Sequence, residues 1–376
     1  MQNSTIIEQR ATSNEQRATS NEQQLSLYQN LKAYSGFFKD TNKLLASASG
    51  GAATAVSEGF IKNFNGAVIG ATYSNDCRNI EFAYIENLND LQKLKGSKYA
   101  ASDKRIFVNG TYQPVFKFAG DKLNEGQKIL FVGLGCDIAA LYSYLEHNKI
   151  NTQNLFTADL ICFGATLKKV HTDYINSLEQ KFNSGLTNFT VRYKKFGWTP
   201  FYIRAEFQDG RIFDEVFYKS DYGYAFANFA NKPCFSCNAR GLNHKADITV
   251  ADYWGLTEKM KGFNKNGVSI ILARSEKGQE LVNLIDTDDF ELAPADPEFI
   301  IKNNGAYFTT RKKPRTYDSF VKNLNEFGLH KAVSHDKIIT FPKRAVLFAL
   351  RLPKRIVKKA LKILGLWDFV QRLRGK

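Results

Sequence analysis

The sequence predicts a mixed α/β (α+β) fold: a central, mostly parallel sheet flanked by helices, a small antiparallel β-rich insert and a C-terminal amphipathic helix. Three observations predict it. Apolar runs of strand length at Ile129 to Gly133 and Leu155 to Ile161 each lead through a glycine-bearing turn into a helix-periodic stretch, the pattern of buried parallel strands joined by crossovers. From Thr187 the pattern becomes alternation (VRYKKFG, FYIRAEF, RIFDEVF) with a turn at Gln208-Asp209-Gly210, as in a meander. Beyond Pro353, Ile356, Val357, Ala360, Leu361, Leu364 and Trp367 fall on one helix face, and Lys354, Arg355, Lys358, Lys359 and Lys362 on the other.

The elements follow in order. With 376 residues and 43% hydrophobic content, the chain can bury a substantial core. Residues 1–30 hold a tandem heptad, EQRATSN at Glu8 to Asn14 and again at Glu15 to Asn21, too polar to repay the entropy of ordering and expected to be a disordered leader. The ordered chain is expected to begin near Leu31, and residues 31–290 to form the main domain, with the insert at about 187–220. In Ala46 to Phe64, small residues through Gly51 precede an apolar-periodic run. This reads as a tight loop opening a helix, where Ser47, Ser49, Gly50 and Gly51 either meet an anion such as a cofactor phosphate or serve as a cap and close packing contact. Ala67 to Tyr73 and Asn79 to Tyr84 read as strands and Asn87 to Leu94 as a short helix. The following loop, Lys95-Gly96-Ser97-Lys98-Tyr99, combines a flexible glycine, a hydroxyl, two cations and an aromatic face, suited to a dinucleotide or flavin or simply a solvated basic loop.

The unit Lys128 to His147 places Cys136 where a strand ends and a helix begins, with Ile138, Leu141, Tyr142 and Leu145 at helical spacing. That position predicts a thiol pKa lowered by the helix dipole, at the sheet edge where α/β proteins place ligands. The pattern repeats at Cys162-Phe163-Gly164, before an expected helix from Thr166 to Phe182. Asp221 to Asn231 reads as a short aromatic helix leading into Pro233 to Gly255, PCFSCNARGLNHKADITVADYWG, with Cys234-x-x-Cys237 on a turn. Its Ala246 to Ala251 reads as a strand ending at Asp252, Tyr253, Trp254 and Gly255. Ser269 to Arg274 and Gln279 to Ile285 read as a strand and a helix, 291–341 as a mixed extension and 342–376 as a basic amphipathic tail.

Five cysteines, odd in number and irregularly spaced, fit a reducing compartment in which thiols serve metal or redox chemistry. Cys77 lies in a polar turn. The remaining four, Cys136, Cys162, Cys234 and Cys237, match the demand of a 4Fe-4S cluster or a structural zinc, and their wide spacing favours the cluster. Of the formal charge of +15, the last 35 residues carry eleven Lys or Arg against one acid, Asp368, leaving an ordinary body that predicts no specific nucleic-acid partner. The tail instead suits an anionic membrane surface, or packing on this chain or a partner. No apolar signal segment or run of about 18 to 20 apolar residues occurs, so the expected location is cytoplasmic, peripheral on the inner face of the membrane.

The ordered set SGG, KGSKY, GLGC, LICFG, PCFSC, ADIT and DYWG resembles the coenzyme F-420 hydrogenase/dehydrogenase beta subunit family, including bacterial relatives in surface-polysaccharide gene clusters, over about Ser35 to Ala273. The resemblance implies an oxidoreductase that passes electrons between a 4Fe-4S cluster, FAD and a hydride carrier such as coenzyme F-420, with an electron carrier such as ferredoxin as partner. It implies FAD contacts at Ser49, Gly50, Gly51, Lys95, Gly96, Ser97, Lys98, Tyr99, Asp252, Trp254 and Gly255, and a cluster on Cys136, Cys162, Cys234 and Cys237. It also leaves the alternative of an inactive or zinc-binding member acting as a membrane-attached partner in polysaccharide assembly. Two departures stand out. A ferredoxin-like cysteine segment is replaced by the polar repeat, and the family's Cys-His-Gly is Cys162-Phe163-Gly164 here, which removes a proton donor or flavin contact.

Overall fold

The computed structural model describes residues 31–351, with side chains through Phe341. The expected leader at 1–30 and the interfacial helix beyond Pro353 lie outside the described residues. The chain divides into two compact units at Pro314 and Arg315.

The first unit is built on a ten-stranded sheet. Its strands are β1 (Lys32–Phe38), β2 (Ala67–Tyr73), β3 (Ile80–Ile85), β4 (Arg105–Val108), β5 (Thr111–Pro114), β6 (Ile129–Leu134), β7 (Leu155–Leu160), β11 (Ile248–Asp252), β12 (Ser269–Ala273) and β13 (Phe290–Pro294), in spatial order β13-β1-β12-β11-β7-β6-β2-β3-β4-β5. The central block β11, β7, β6 and β2 is parallel, and so is the single bridge from β3 to β4; the flanking pairs are antiparallel. Strands covered on both faces should read as continuous apolar runs, and Ala67 to Ile69 and Ile129 to Phe131 are wholly buried. Alternate residues supply two cores. Val68, Leu130 and Phe156 pack with Val56, Phe60 and Leu281 on one face, while Ile69, Phe131 and Leu155 pack with Phe118, Ile138 and Leu141 on the other.

The helices are α1 (Thr41–Ala46), α2 (Ala52–Phe64), α3 (Val115–Asn124), α4 (Gly135–His147), α5 (Lys168–Phe182), α6 (Asp221–Asn228), α7 (Glu276–Asn283) and α8 (Pro297–Asn303). The antiparallel insert is confirmed as a separate three-stranded sheet, β10-β9-β8, from β8 (Leu186–Tyr193), β9 (Tyr202–Phe207) and β10 (Ile212–Val216). The edge strand β13 crosses position 290, so residues on both sides of that expected boundary belong to one sheet.

The second unit holds α9 (Tyr317–Phe327) and α10 (Leu329–Arg351), joined at Gly328, whose φ of +81° is open mainly to glycine. Among the described residues no helix is long and apolar enough to cross a membrane.

Candidate functional site

Strand register gathers the first two thiols. β6 and β7 end flush, Leu134 opposite Leu160, so Cys136 and Cys162 each lie two residues beyond the same sheet edge. Local structure separates them: Cys136 is in the first turn of α4, whereas five residues of loop lie between Cys162 and α5. The expected helix start at Thr166 is displaced because that residue is tied elsewhere. Its N–H donates to Tyr99 O at 2.9 Å, its hydroxyl donates to Phe229 O at 2.9 Å, and its carbonyl accepts from Ala101 N and Asn231 Nδ2.

Those bonds also deliver the second pair. Asn231 N donates to Ala165 O at 2.9 Å and Cys234 N donates to Asn231 O at 2.9 Å, pinning the short 3-10 turn Lys232–Ser236 against the Cys162 loop. Cys136 is within electrostatic reach of Cys162 and Cys237, and Cys162 within reach of Cys234 and Cys237. All four thiols thus share one region. Among the described residues, however, no three His, Cys, Asp or Glu close on a point as ligands of a single metal ion.

The thiol acidities depart from the helix-dipole expectation. Although Cys136 is exposed, its packed surroundings push the thiol up to about 12, with the Asp137 carboxylate and then Cys162 adding to the effect. Burial pushes Cys162 up to about 11, against a hydrogen bond from Gly164 N at 3.2 Å and the Arg240 charge. Burial raises Cys234 too, opposed by a backbone N–H, Arg240 and Arg311. Cys77 is buried apart from this group, and its carbonyl meets His171 Nε2 at 2.7 Å.

A second group of expected residues meets at Arg192, a residue the sequence pattern did not single out. Its guanidinium donates to both oxygens of Asp252 at 3.0 Å, to Tyr99 Oη at 3.1 Å and to Ala48 O at 3.0 Å. It lies 4.0 Å from the Phe201 ring centroid. Two positions on, Lys194 Nζ donates to Leu44 O at 2.7 Å and Ser49 O at 2.6 Å, and burial pushes its ammonium down to about 7. The serine-glycine loop, the KGSKY loop and the end of β11 therefore converge on the end of the insert strand β8. Two cations at alternate positions where a strand ends are the only local signal, and alternation alone does not say which face is covered.

Within this group the expected phosphate donors are engaged by the chain. Ser49 Oγ donates to Val268 O at 2.8 Å, while Gly51 N and Ala52 N, at 3.1 and 3.4 Å, donate to Ser269 Oγ. A Cβ on Gly50 would stand 2.1 Å from Gly36 O, and one on Gly51, at φ +97°, 2.5 Å from the Phe38 ring. Lys98 Nζ donates to Leu94 O at 2.9 Å and Lys95 O at 2.8 Å, and burial pushes it down to about 7. Gly96 has φ +81°, and Ser97 bonds to Tyr99. Trp254 packs on Trp198 with ring centroids 4.6 Å apart and keeps 39% of its surface exposed; Gly255, at φ +86°, backs onto Asn303. An aromatic path joins the two groups: Tyr99 stacks on Phe226 at 4.2 Å, and Phe226 meets Phe163 at 5.9 Å.

The buried pair Asp159 and His244 also escaped the sequence reading. His244 Nδ1 and Asp159 Oδ2 are 2.5 Å apart, Thr249 donates to the other oxygen, and the imidazole stacks on Tyr307 at 4.9 Å. Asp159 is the one charged residue of β7, the mark by which it could have been found.

Three kinds of known protein are similar to this chain. The family described as the C terminus of the coenzyme F420 hydrogenase/dehydrogenase beta subunit matches residues 126–298, a span holding all four clustered cysteines, Arg192 and Asp252 to Gly255. Imidazole glycerol phosphate synthase subunit HisH from two strains of Haemophilus influenzae is 25% identical over 190 residues, 48% of this chain and 94% of each relative. At that identity and coverage it assigns neither family nor activity. A chain from the xenon-derivatised F420-reducing NiFe hydrogenase complex of Methanosarcina barkeri aligns over 81% of this chain and 90% of its own, with 15% identity and a TM-score of 0.48. Residues 126–298, the span that holds its four clustered thiols, are thus similar to the C terminus of the coenzyme F420 hydrogenase/dehydrogenase beta subunit.

Proposed function

We propose that this chain is an oxidoreductase that holds one 4Fe-4S cluster on Cys136, Cys162, Cys234 and Cys237 and works with FAD to exchange electrons with a hydride carrier, coenzyme F420 being the carrier the family suggests. The observation that carries the reading is the convergence of four thiols from three separate segments at one sheet edge. Four thiolates are the ligand set of such a cluster. A tetrahedral zinc would draw its sulfurs to within about 3.8 Å of one another, given Zn–S bonds of about 2.3 Å. The wide spacing of the four cysteines in the sequence, where zinc sites usually gather two close pairs, favours the larger body.

When bound, the cluster supplies one-electron transfer and the flavin couples it to two-electron chemistry. The chain's own contribution is to orient and shield. Thr166 fixes the Cys162 loop to both the KGSKY loop and the segment bearing Cys234, so the two groups of residues are held in a set relation. Exposed Cys136 and half-exposed Phe163 leave the thiol region near solvent, as exchange with a carrier such as ferredoxin requires. Ser49, Gly50, Gly51 and Lys98 have their donors or their space taken up within the chain. Lys95 and the exposed part of the Trp254 ring are therefore the members of the expected flavin set that suit direct contact.

Anaerobic purification tests the reading: about four iron, four labile sulfide and one FAD per chain are expected, with a visible absorption band. One zinc without sulfide would favour a zinc-binding, non-redox member. Protein with neither iron, sulfide nor flavin would refute the proposal. Serine at both Cys234 and Cys237 is expected to remove the iron and sulfide together.

A further inference from the structure

Among the described residues, two guanidiniums, Arg240 buried and Arg311 half-buried, stand at the thiol site without a carboxylate partner. Arg311 Nη1 and Nη2 donate to Phe226 O at 2.9 Å and Ala227 O at 2.7 Å, and the guanidinium lies 4.4 Å from the Phe163 ring centroid. Its Cδ and Cys234 Cβ approach the same point beside Gly164, 3.4 and 3.5 Å from where a Cβ there would stand. Arg240, 8% exposed, donates from Nη1 to Ala306 O at 2.5 Å, and its Nε is buried with no partner. The contrast with Arg192 and Arg204 is informative, because each of those is held by both oxygens of an aspartate.

A guanidinium taken out of water is costly unless counter-charge replaces the lost hydration. Here two such cations sit close enough to act on one another, and both act on Cys234. Carbonyl oxygens accept from Arg240 Nη1 and from both Nη of Arg311, which leaves the net charge in place and Arg240 Nε unpartnered. The groups acting on Arg311 that can become anionic are the thiols of Cys234 and Cys162. Two fixed positive charges therefore face the place where a thiolate-bound centre would gain negative charge with each electron it accepts.

We propose that Arg240 and Arg311 form a charge-compensating pair that raises the reduction potential of the thiolate-bound centre. This rests on the cluster reading above. The reduced centre carries one more negative charge than the oxidised one, so nearby cations stabilise it selectively. Phe163 and the carbonyls of Phe226 and Ala227 hold the Arg311 fork in position, and the surrounding protein limits screening by water.

The test uses the full chain, purified anaerobically, as wild type and as Arg240→Gln, Arg311→Gln, Arg240→Lys and Arg311→Lys. Iron and sulfide are quantified on each, and the midpoint potential is read by electron paramagnetic resonance during a redox titration. Each glutamine variant is expected to keep its iron and to lower the ratio of reduced to oxidised centre at fixed poise about tenfold, a downward shift of about 59 mV for a one-electron couple. The lysine variants should stay near wild type. Loss of iron from the glutamine variants alone also supports the pair, since charge then decides whether the centre is held. Unchanged potentials in loaded glutamine variants would overturn it, as would loss of iron from lysine and glutamine variants alike. A wild type without iron or sulfide would instead overturn the cluster reading itself, and this inference with it.

Discussion

Arg192 shows how one buried charge can organise several loops. Its fork satisfies Asp252 on β11, Tyr99 in the KGSKY loop and the carbonyl of Ala48, so three distant segments share one cation. Arginine suits this because its planar donors are arranged in a fixed fork, whereas a lysine would supply a point charge. Removing one member of a buried pair leaves the other uncompensated, typically at a cost of about 3–5 kcal/mol. Asp252→Asn is therefore expected to destabilise the protein by about 3 kcal/mol in urea unfolding. The double variant Arg192→Met/Asp252→Asn should lose less than the sum of the two single losses, since neither charge remains to be stranded. Strict additivity would show that the pair contributes nothing as a pair.

The Ser49-Gly50-Gly51 loop illustrates how an element can carry the marks of a ligand site and still have a structural task. Gly50 presses its backbone against Gly36 of β1, and a methyl group there would overlap Gly36 O and Ser269 N, both backbone atoms that cannot swing away. Gly50→Ala is accordingly expected to cost about 1–3 kcal/mol in flavin-free protein, measured by thermal or urea unfolding, as overpacking does. If the glycine served a phosphate alone, stability without flavin would be unchanged. The same element marks the limit of what was legible in the sequence. Local periodicity identified β2, β6, β7 and the insert strands, because their partners are near in sequence or their apolar runs are uninterrupted. It passed over β1, β13 and the hairpin β4–β5, whose strands of four residues each are too short to show a period. The partners of β1 lie more than 230 residues downstream, where pairing is decided by tertiary contact, and Gly36 breaks its alternation. Cys136 and Cys162 were legible as matched strand ends. Arg192, Arg240 and His244 were not, because a polar residue at a covered position looks like any surface residue until its partners are in place.

For the whole molecule, buried bases set the response to acid. His171 is 1% exposed, stacked on Tyr73 at 5.5 Å and packed against Phe189 and Tyr222, with Nε2 on the Cys77 carbonyl; burial pushes its pKa down to about 4, against the Cys77 carbonyl and the Asp76 charge. The unfolded chain binds that proton at about 6.5, so below this value it takes up a proton that the native state refuses. The contribution of His171 is fully present above pH 6.5 and is lost as pH falls towards 4, by about 3 kcal/mol in all at about 1.36 kcal/mol per pH unit. Lys98 and Lys194, pushed down to about 7 from 10.5, act in the same sense at higher pH: stability rises from about 7 upwards while the unfolded chain holds the extra protons. Buried Cys77, pushed up to about 11 from 9, acts oppositely, its contribution being lost as pH rises above 9. Urea midpoints measured from about pH 4.5 to 8.5 on cofactor-free protein should therefore climb with pH through the acid range. His171→Gln should flatten the climb between about pH 4.5 and 6.5 and leave the slope above about pH 7 as it was. An equal slope in variant and wild type below pH 6.5 would assign the acid sensitivity to other groups.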